Sequence, residues 1–292
     1  MMITKTVYLD TSAANHLYDD LNGHILTETL KSKSQPLISV FTVMETASTH
    51  DSGRRAGLTA FLKSITGRNR PIAMPGDLLR RSLEALSVRA STVDISMGPE
   101  YDGVWIALNQ PSLIHDDAYE EVLERKRHEE EWYQNMHDLG RPAIQLALTK
   151  LSTEERRTLT TFSGLMKYYH SNPNLVNLIS DLASQSGANV AVDDELVRTA
   201  IQHSEHWRFF LAGMAYGLYA RSVKTTGFSR HKNPGSVDTQ QSIYLATCDV
   251  FVTADRRQHD MLRLLAPFGH KKRNIWDYPD LARWLSRMRE DC

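Results

Sequence analysis

The sequence predicts an α/β protein in which a central parallel sheet, covered by helices on both faces, is interrupted by an all-helical insertion. Three observations carry that expectation. Short β-branched or aromatic runs alternate with stretches of helical spacing, the order that builds parallel sheets. The runs are short and bounded by turn residues or caps, as buried strands are. Charge, finally, is uneven along the chain. Residues 1–89 carry 11 basic and 8 acidic side chains and residues 221–292 carry 13 and 8, whereas residues 90–220 carry 10 and 19. Residues 1–89 plus 221–292 thus read as one discontinuous domain, and residues 90–220 as an acidic helical insertion within it.

Each element follows in order. Lys5–Asp10 (KTVYLD) is a buried strand ending at Asp10, and Ala13, Ala14, Leu17 and Leu21 then fall at helical spacing. Pro36 closes the next helical stretch, Leu37–Val40 (LISV) is a second strand, and Thr42–Thr49 is a helix carrying Glu45. Leu58, Phe61, Leu62 and Ile65 mark another helix; Pro71–Met74 is a third strand, with Leu78, Leu79, Leu83 and Leu86 marking the helix after it. Gly98, Pro99, Gly103 and Pro111 break up residues 91–116. Asp116–Leu139 is a long solvated helix with pairs such as Glu121–Arg125, and Ser152–Glu155 is a capping box. Asn174–Ala183 and Asp194–Arg221 are helical. After a Gly/Ser/Pro loop over Thr225–Ser236 come a helix at Asp238–Thr247, a strand at Asp249–Thr253 and a helix at Arg256–Leu265. Pro279 opens a last amphipathic helix with Leu281, Trp284, Leu285 and Met288 inward.

Composition narrows the class. With 292 residues, 41% of them hydrophobic, the chain can bury a sizeable core. Its two cysteines, Cys248 and Cys292, exclude a disulfide scaffold and a Cys-rich zinc module. No apolar run approaches the ~20 residues of a membrane span, and no apolar segment follows Lys5, so a cytoplasmic protein without membrane contact is expected. A net charge of −1 says nothing about polyanions, but the basic ends supply phosphate-binding candidates in Arg230, Lys232, Arg256 and Arg257.

The chemistry centres on carboxylates. Parallel sheets bind ligands beyond the carboxyl ends of their strands, where Asp10 and Asp255 both fall. Three segments, VYLDTSAANHL, ISVFTVMET and VDTQQSIYLATCDVFVTAD, place Asp10, Glu45, Asp238 and Asp255 in a fixed order along the chain. In this the sequence resembles the PIN-domain family of metal-dependent ribonucleases, over residues 1–89 and 221–292. The resemblance implies a three-layer α/β/α fold and a divalent-metal-dependent endoribonuclease acting on RNA, with Mg²⁺ or Mn²⁺ as cofactor. It assigns Asp10, Glu45, Asp238 and Asp255 to metal binding and catalysis, with Glu45 also a candidate general base. Thr11, Ser12 and Thr253 are placed to hydrogen-bond the carboxylates or a substrate phosphate; Asp249, which opens a strand, reads first as structural and second as a support for the carboxylates. Many family members carry a further acid three positions beyond the fourth; here Gln258 stands there, which weakens the case for a second bound metal. Toxins and defence effectors are common among PIN-like proteins, so a protein partner that inhibits or activates, or a homo-oligomer, is also implied. The alternatives are a catalytically silent scaffold binding RNA or protein, and a structure-specific DNA nuclease.

Other signals are weaker. LDTSA lacks the second aspartate of a haloacid-dehalogenase-like phosphatase, since Ser12 occupies its place. His115-Asp116 lacks partner histidines at metal-binding spacing, and His203 with His206 lacks a third ligand. Cys248 reads as a small buried hydrophobe.

Overall fold

Alternation along the first strand sorts its side chains onto two faces: Val7 and Leu9 on one, Tyr8 on the other, all fully buried. A computed structural model describes residues 5–110, 148–171, 174–185, 187–220 and 235–290, with scattered positions between 120 and 146. Four strands, β1 (Lys5–Leu9), β2 (Ser34–Leu37), β3 (Val250–Thr253) and β4 (Asn274–Asp277), form one all-parallel sheet in the order β2-β1-β3-β4. Val7 pairs with Pro36 on one side and Val250 on the other. Helices make up most of the rest, giving the mixed α/β architecture expected. Among the described residues, no helix is long and apolar enough to cross a membrane.

Each face of the sheet has its own core. Val7, Leu9, Val250 and Val252 pack with Ala13, Ala14 and Leu17 of the Thr11–Asp19 helix and with Leu281 and Leu285 of the Tyr278–Glu290 helix. On the other face Tyr8 stacks on Tyr244 (ring centroids 5.0 Å) and leans on Phe251 (4.7 Å). That second core includes Trp207, Phe209 and Leu211 of the Glu205–Leu218 helix together with Phe162, Ile179 and Val197. Helices from within residues 90–220 therefore share one hydrophobic core with the sheet. Each such buried side chain contributes about 1.5–3 kcal/mol. Gly213 permits a close approach: a Cβ there would collide with the Ser242 hydroxyl and the Thr239 carbonyl, just after Asp238.

Several expected elements are corrected. The second strand is Ser34–Leu37, not Leu37–Val40, and Pro36 sits inside it; β2 is an edge strand, where a missing N–H is tolerated. Ser39 then caps the Val40–Ala47 helix, its Oγ accepting from the Thr42 N–H at 3.2 Å. Pro71–Met74 is not a strand: Ile72 makes only isolated bridges, to Ser39 and Ser96. The fourth strand is Asn274–Asp277, which the sequence did not reveal. Residues 102–109, expected irregular, form a helix. The long helix expected over Asp194–Arg221 is two, Asp194–His203 and Glu205–Leu218. Ser204 adopts an extended backbone between them, and its side chain caps the second by accepting from the Trp207 N–H. His203 and His206 therefore belong to different helices, one exposed and the other buried. The Ser152–Glu155 capping box is present, with both hydrogen bonds formed (3.2 and 2.8 Å). Cys248 is a buried free thiol, as expected. Every described position between 120 and 146 is helical; the pair Glu121–Arg125 and the dipeptide His115-Asp116 lie outside the described residues.

Candidate active site

The strand order reverses between β1 and β3, and a doubly wound sheet opens its ligand crevice at that switch point. Asp10 follows β1 and Asp255 lies two residues past β3, so both stand at the crevice. Each caps the helix that leaves its strand. Asp10 Oδ1 accepts from the Ala13 N–H at 2.7 Å, and Asp255 Oδ1 from the Arg257 N–H at 2.7 Å. Ser12 ties the two strand ends together: its Oγ donates to Asp10 and accepts from the Ala254 N–H at 2.8 Å. The Thr253 hydroxyl donates to Asp10 Oδ2 at 2.7 Å.

Two more segments bring Glu45 and Asp238. Glu45 Oε2 accepts from the Thr11 hydroxyl at 2.6 Å and from Gln241 Nε2 at 3.5 Å. Asp238 Oδ2 accepts from the Gly235 N–H at 3.0 Å, in the first turn of the Ser236–Gln241 helix. All four acids line one cavity of about 840 Å³. The four positions named from sequence thus meet across chain separations of more than 200 residues.

Their electrostatic surroundings differ. Burial pushes Asp10 up to about 7, against the lowering effect of its hydrogen-bond donors and with a contribution from Asp238. Asp238 is pushed up to about 6 by burial, and Asp255 and Glu45 add to the shift. Burial also acts to raise Asp255, but the Arg257 guanidinium, 2.7 Å away, and backbone N–H donors outweigh it and hold that carboxyl below its ordinary value.

Other expected positions fall elsewhere. Asp249 is not in the cleft; it lies just before β3, at the opposite end of the strand, and accepts from Thr6 N–H (2.8 Å) and Oγ1 (2.9 Å). Arg257 lines the cleft, and Arg256 an adjoining pocket that shares Asp255. Arg230 and Lys232 lie outside the described residues. Gln258 is fully buried and donates to Gln241 Oε1 at 2.8 Å, so it supports the residue that touches Glu45.

Sequence reasoning missed several cleft residues. Asn15 lines the cleft one helical turn after Thr11, and that spacing was the available signal. Leu123, Arg127, Glu130 and Glu131 line it from the inserted segment. Nothing local in that charged run distinguishes them from a solvated helix face.

The donor set suits a hard divalent cation: it is all oxygen, with the buried Asp10 and half-buried Asp238 carboxyls, whose ionisation a cation would favour. As arranged, the acids line a common cavity without closing on one point, and among the described residues no group of three or more His, Cys, Asp or Glu could hold a metal ion. No family model matches the chain, and neither the curated proteins nor the solved structures give a match.

Proposed function

We propose that the chain is a divalent-metal-dependent endoribonuclease whose active site is the cleft between Asp10, Glu45, Asp238 and Asp255. The observation that carries this reading is the meeting of four acids from four chain segments in one cavity at the sheet's switch point. A scaffold has no use for a buried and a half-buried carboxyl, Asp10 and Asp238, that desolvation and their neighbours force upward.

Asp10, Asp238 and Asp255, which as arranged do not close on one point, would hold Mg²⁺ or Mn²⁺ partly through bound water. Such an ion acidifies a bound water and offsets charge developing on the scissile phosphate. The protein's own groups do the rest. Thr11 and Gln241 orient Glu45 to accept a proton from the attacking water. Ser12 and Thr253 fix the Asp10 carboxyl, so its lone pairs keep one direction. Arg257 sits at the cleft wall, where a substrate phosphate would compete with Asp255 for its guanidinium. The carboxylates of Glu130 and Glu131, which also line the cleft, favour a regulated site, in keeping with a toxin or effector controlled by a partner.

The test is incubation of purified protein with labelled RNA and DNA pools, in Mn²⁺ and in chelator. Metal-dependent RNA cleavage lost in Asp10→Asn supports the proposal. Cleavage of DNA alone selects the structure-specific DNA nuclease, and tight RNA binding without cleavage selects the silent scaffold.

A further inference from the structure

At the end of the sheet opposite the carboxylate cleft, a cavity of about 490 Å³ opens beside the start of β4. Its walls come from the end of the Arg256–Leu265 helix, the turn after it and the first residues of β4. Arg263, Lys271 and Lys272 are exposed there, and no carboxylate lines the cavity. Among the described residues, the side chains of these three make no hydrogen bond or ion pair. Arg273 anchors the site from below. It is 9% exposed and donates to Glu205 Oε2 at 2.6 Å and to the Leu245 carbonyl at 2.7 Å.

The nearest acids are already engaged. Glu205 takes Arg273 and the backbone N–H groups of His270 and Lys271. Asp249, which senses Lys271, is held by Thr6. Three cations around one concavity, with no acid of their own, raise the local concentration of phosphate groups.

We propose that this cavity binds the phosphodiester backbone of a single-stranded nucleic acid whose other end lies in the carboxylate cleft. The sheet supplies the path. β4 is the outermost strand and half-exposed, and its four residues span about 10 Å. It starts at the basic cavity and ends at Asp277, in a pocket that holds Arg256 and Tyr278 and shares Asp255 with the cleft. A strand laid along this edge meets three cations at one end and, at the other, Arg256 among the carboxylates of Asp255, Asp260 and Asp277, so the basic cavity carries the phosphate contacts. The inference rests on the proposed function only for the class of ligand.

The test measures binding, so that it stands apart from cleavage. The full chain in chelator is titrated with a labelled single-stranded RNA of about 20 nucleotides, long enough for both sites, over a range of salt. Each phosphate contact on a single strand contributes about −0.7 to the slope of log K against log salt. The triple variant Arg263→Ala, Lys271→Ala, Lys272→Ala should therefore lose about 2 from the slope and, with affinities converging near 1 M salt, bind roughly a hundredfold more weakly at about 0.1 M salt. A dinucleotide should bind wild type and variant alike. The three residues are exposed, and an unchanged Tm confirms that the variant is folded. An unchanged slope in the folded variant overturns the proposal. So does displacement of the RNA by inorganic phosphate at concentrations that match the RNA's own affinity, which would mark a free-anion site. Failure to cleave in Mn²⁺ would retire the nuclease and leave this site standing; cleavage with an unchanged slope would do the reverse.

Discussion

Glu130, from the inserted segment, accepts a 3.0 Å hydrogen bond from the backbone N–H of Ser236, the first residue of the helix that carries Asp238. The acidic middle of the chain thereby touches the rim of the carboxylate cleft. Gly235 leaves room for the contact: a Cβ there would stand 3.2 Å from Glu130 Oε2 and 3.9 Å from Asp238 Oδ2.

Removing one negative charge from this rim should admit RNA more readily. Glu130→Gln is expected to raise RNA affinity by up to about fivefold, the scale of a partly exposed charge interaction of about 1 kcal/mol. The gain should shrink with added salt. Fluorescence anisotropy with a labelled RNA in chelator measures it, and equal affinities at low salt would show that Glu130 does not shield the cleft. Excising residues 92–220 is a poorer experiment, because Trp207, Phe209 and Leu211 are part of the core under Tyr8 and Phe251.

Asp10→Asn and Asp238→Asn should each lower RNA cleavage by about a hundredfold or more while the protein stays folded. Asparagine still caps the Thr11–Asp19 helix through its carbonyl, so the fold has no reason to fail at position 10. Single-turnover cleavage alongside circular dichroism checks both halves. Wild-type rates in both variants would place the chemistry elsewhere.

How much of this was legible depended on locality. β1, β3 and the helices after Asp10 and Asp255 are written in short segments, each with a buried run followed by a helical spacing. β4 was not, because NIWD is only four residues, half-exposed throughout, between a basic run and Pro279. Pro71–Met74 misled for the opposite reason. Ile72 and Ala73 are apolar and buried like a strand, yet burial says nothing about whether a neighbour continues the ladder. Glu130 was invisible, since its role depends on where a distant helix comes to rest.

The metal-free protein should lose stability as pH rises toward neutrality. Asp10 is pushed up to about 7 and Asp238 to about 6, both above the ordinary carboxyl value of 3.8. The folded state thus binds more protons than the unfolded one across that interval. Their contribution is fully present below about pH 4 and is lost as pH climbs through 6 to 7. Asp10→Asn should flatten this loss and melt higher than wild type near pH 8 in chelator. Mn²⁺ at about 100 times its dissociation constant should restore wild type by about 2.7 kcal/mol and the variant by less. A variant that melts lower and responds equally to Mn²⁺ would contradict a shared site.

His206 should act in the opposite direction. Burial holds its imidazole down to about 4, despite the neighbouring Glu205 charge, and Nδ1 lies 3.2 Å from the Ser82 hydroxyl. The unfolded chain protonates this histidine near 6.5, so the folded state loses stability as pH falls from about 6.5 to 4. Replacing it with Gln should remove that acid-side slope, measured by urea denaturation at pH 7 and pH 5. An equal drop in both proteins would assign the acid sensitivity to other groups.

The central strand pair has a consequence for how the protein is made. Thr6 and Asp249, bridged by hydrogen bonds at the start of β1 and β3, are separated by 243 residues. Closing so long a loop is entropically costly and slow, and no local contact substitutes for it. During synthesis β1 must wait, unpaired on that side, until residues 250–253 have emerged. A polypeptide released before residue 250 has Asp10 and Glu45 but neither β3 nor Asp255, so the cleft does not exist in it. Whatever reaction this cleft performs therefore waits on a segment made some 245 residues after Asp10, because Asp255 closes the site.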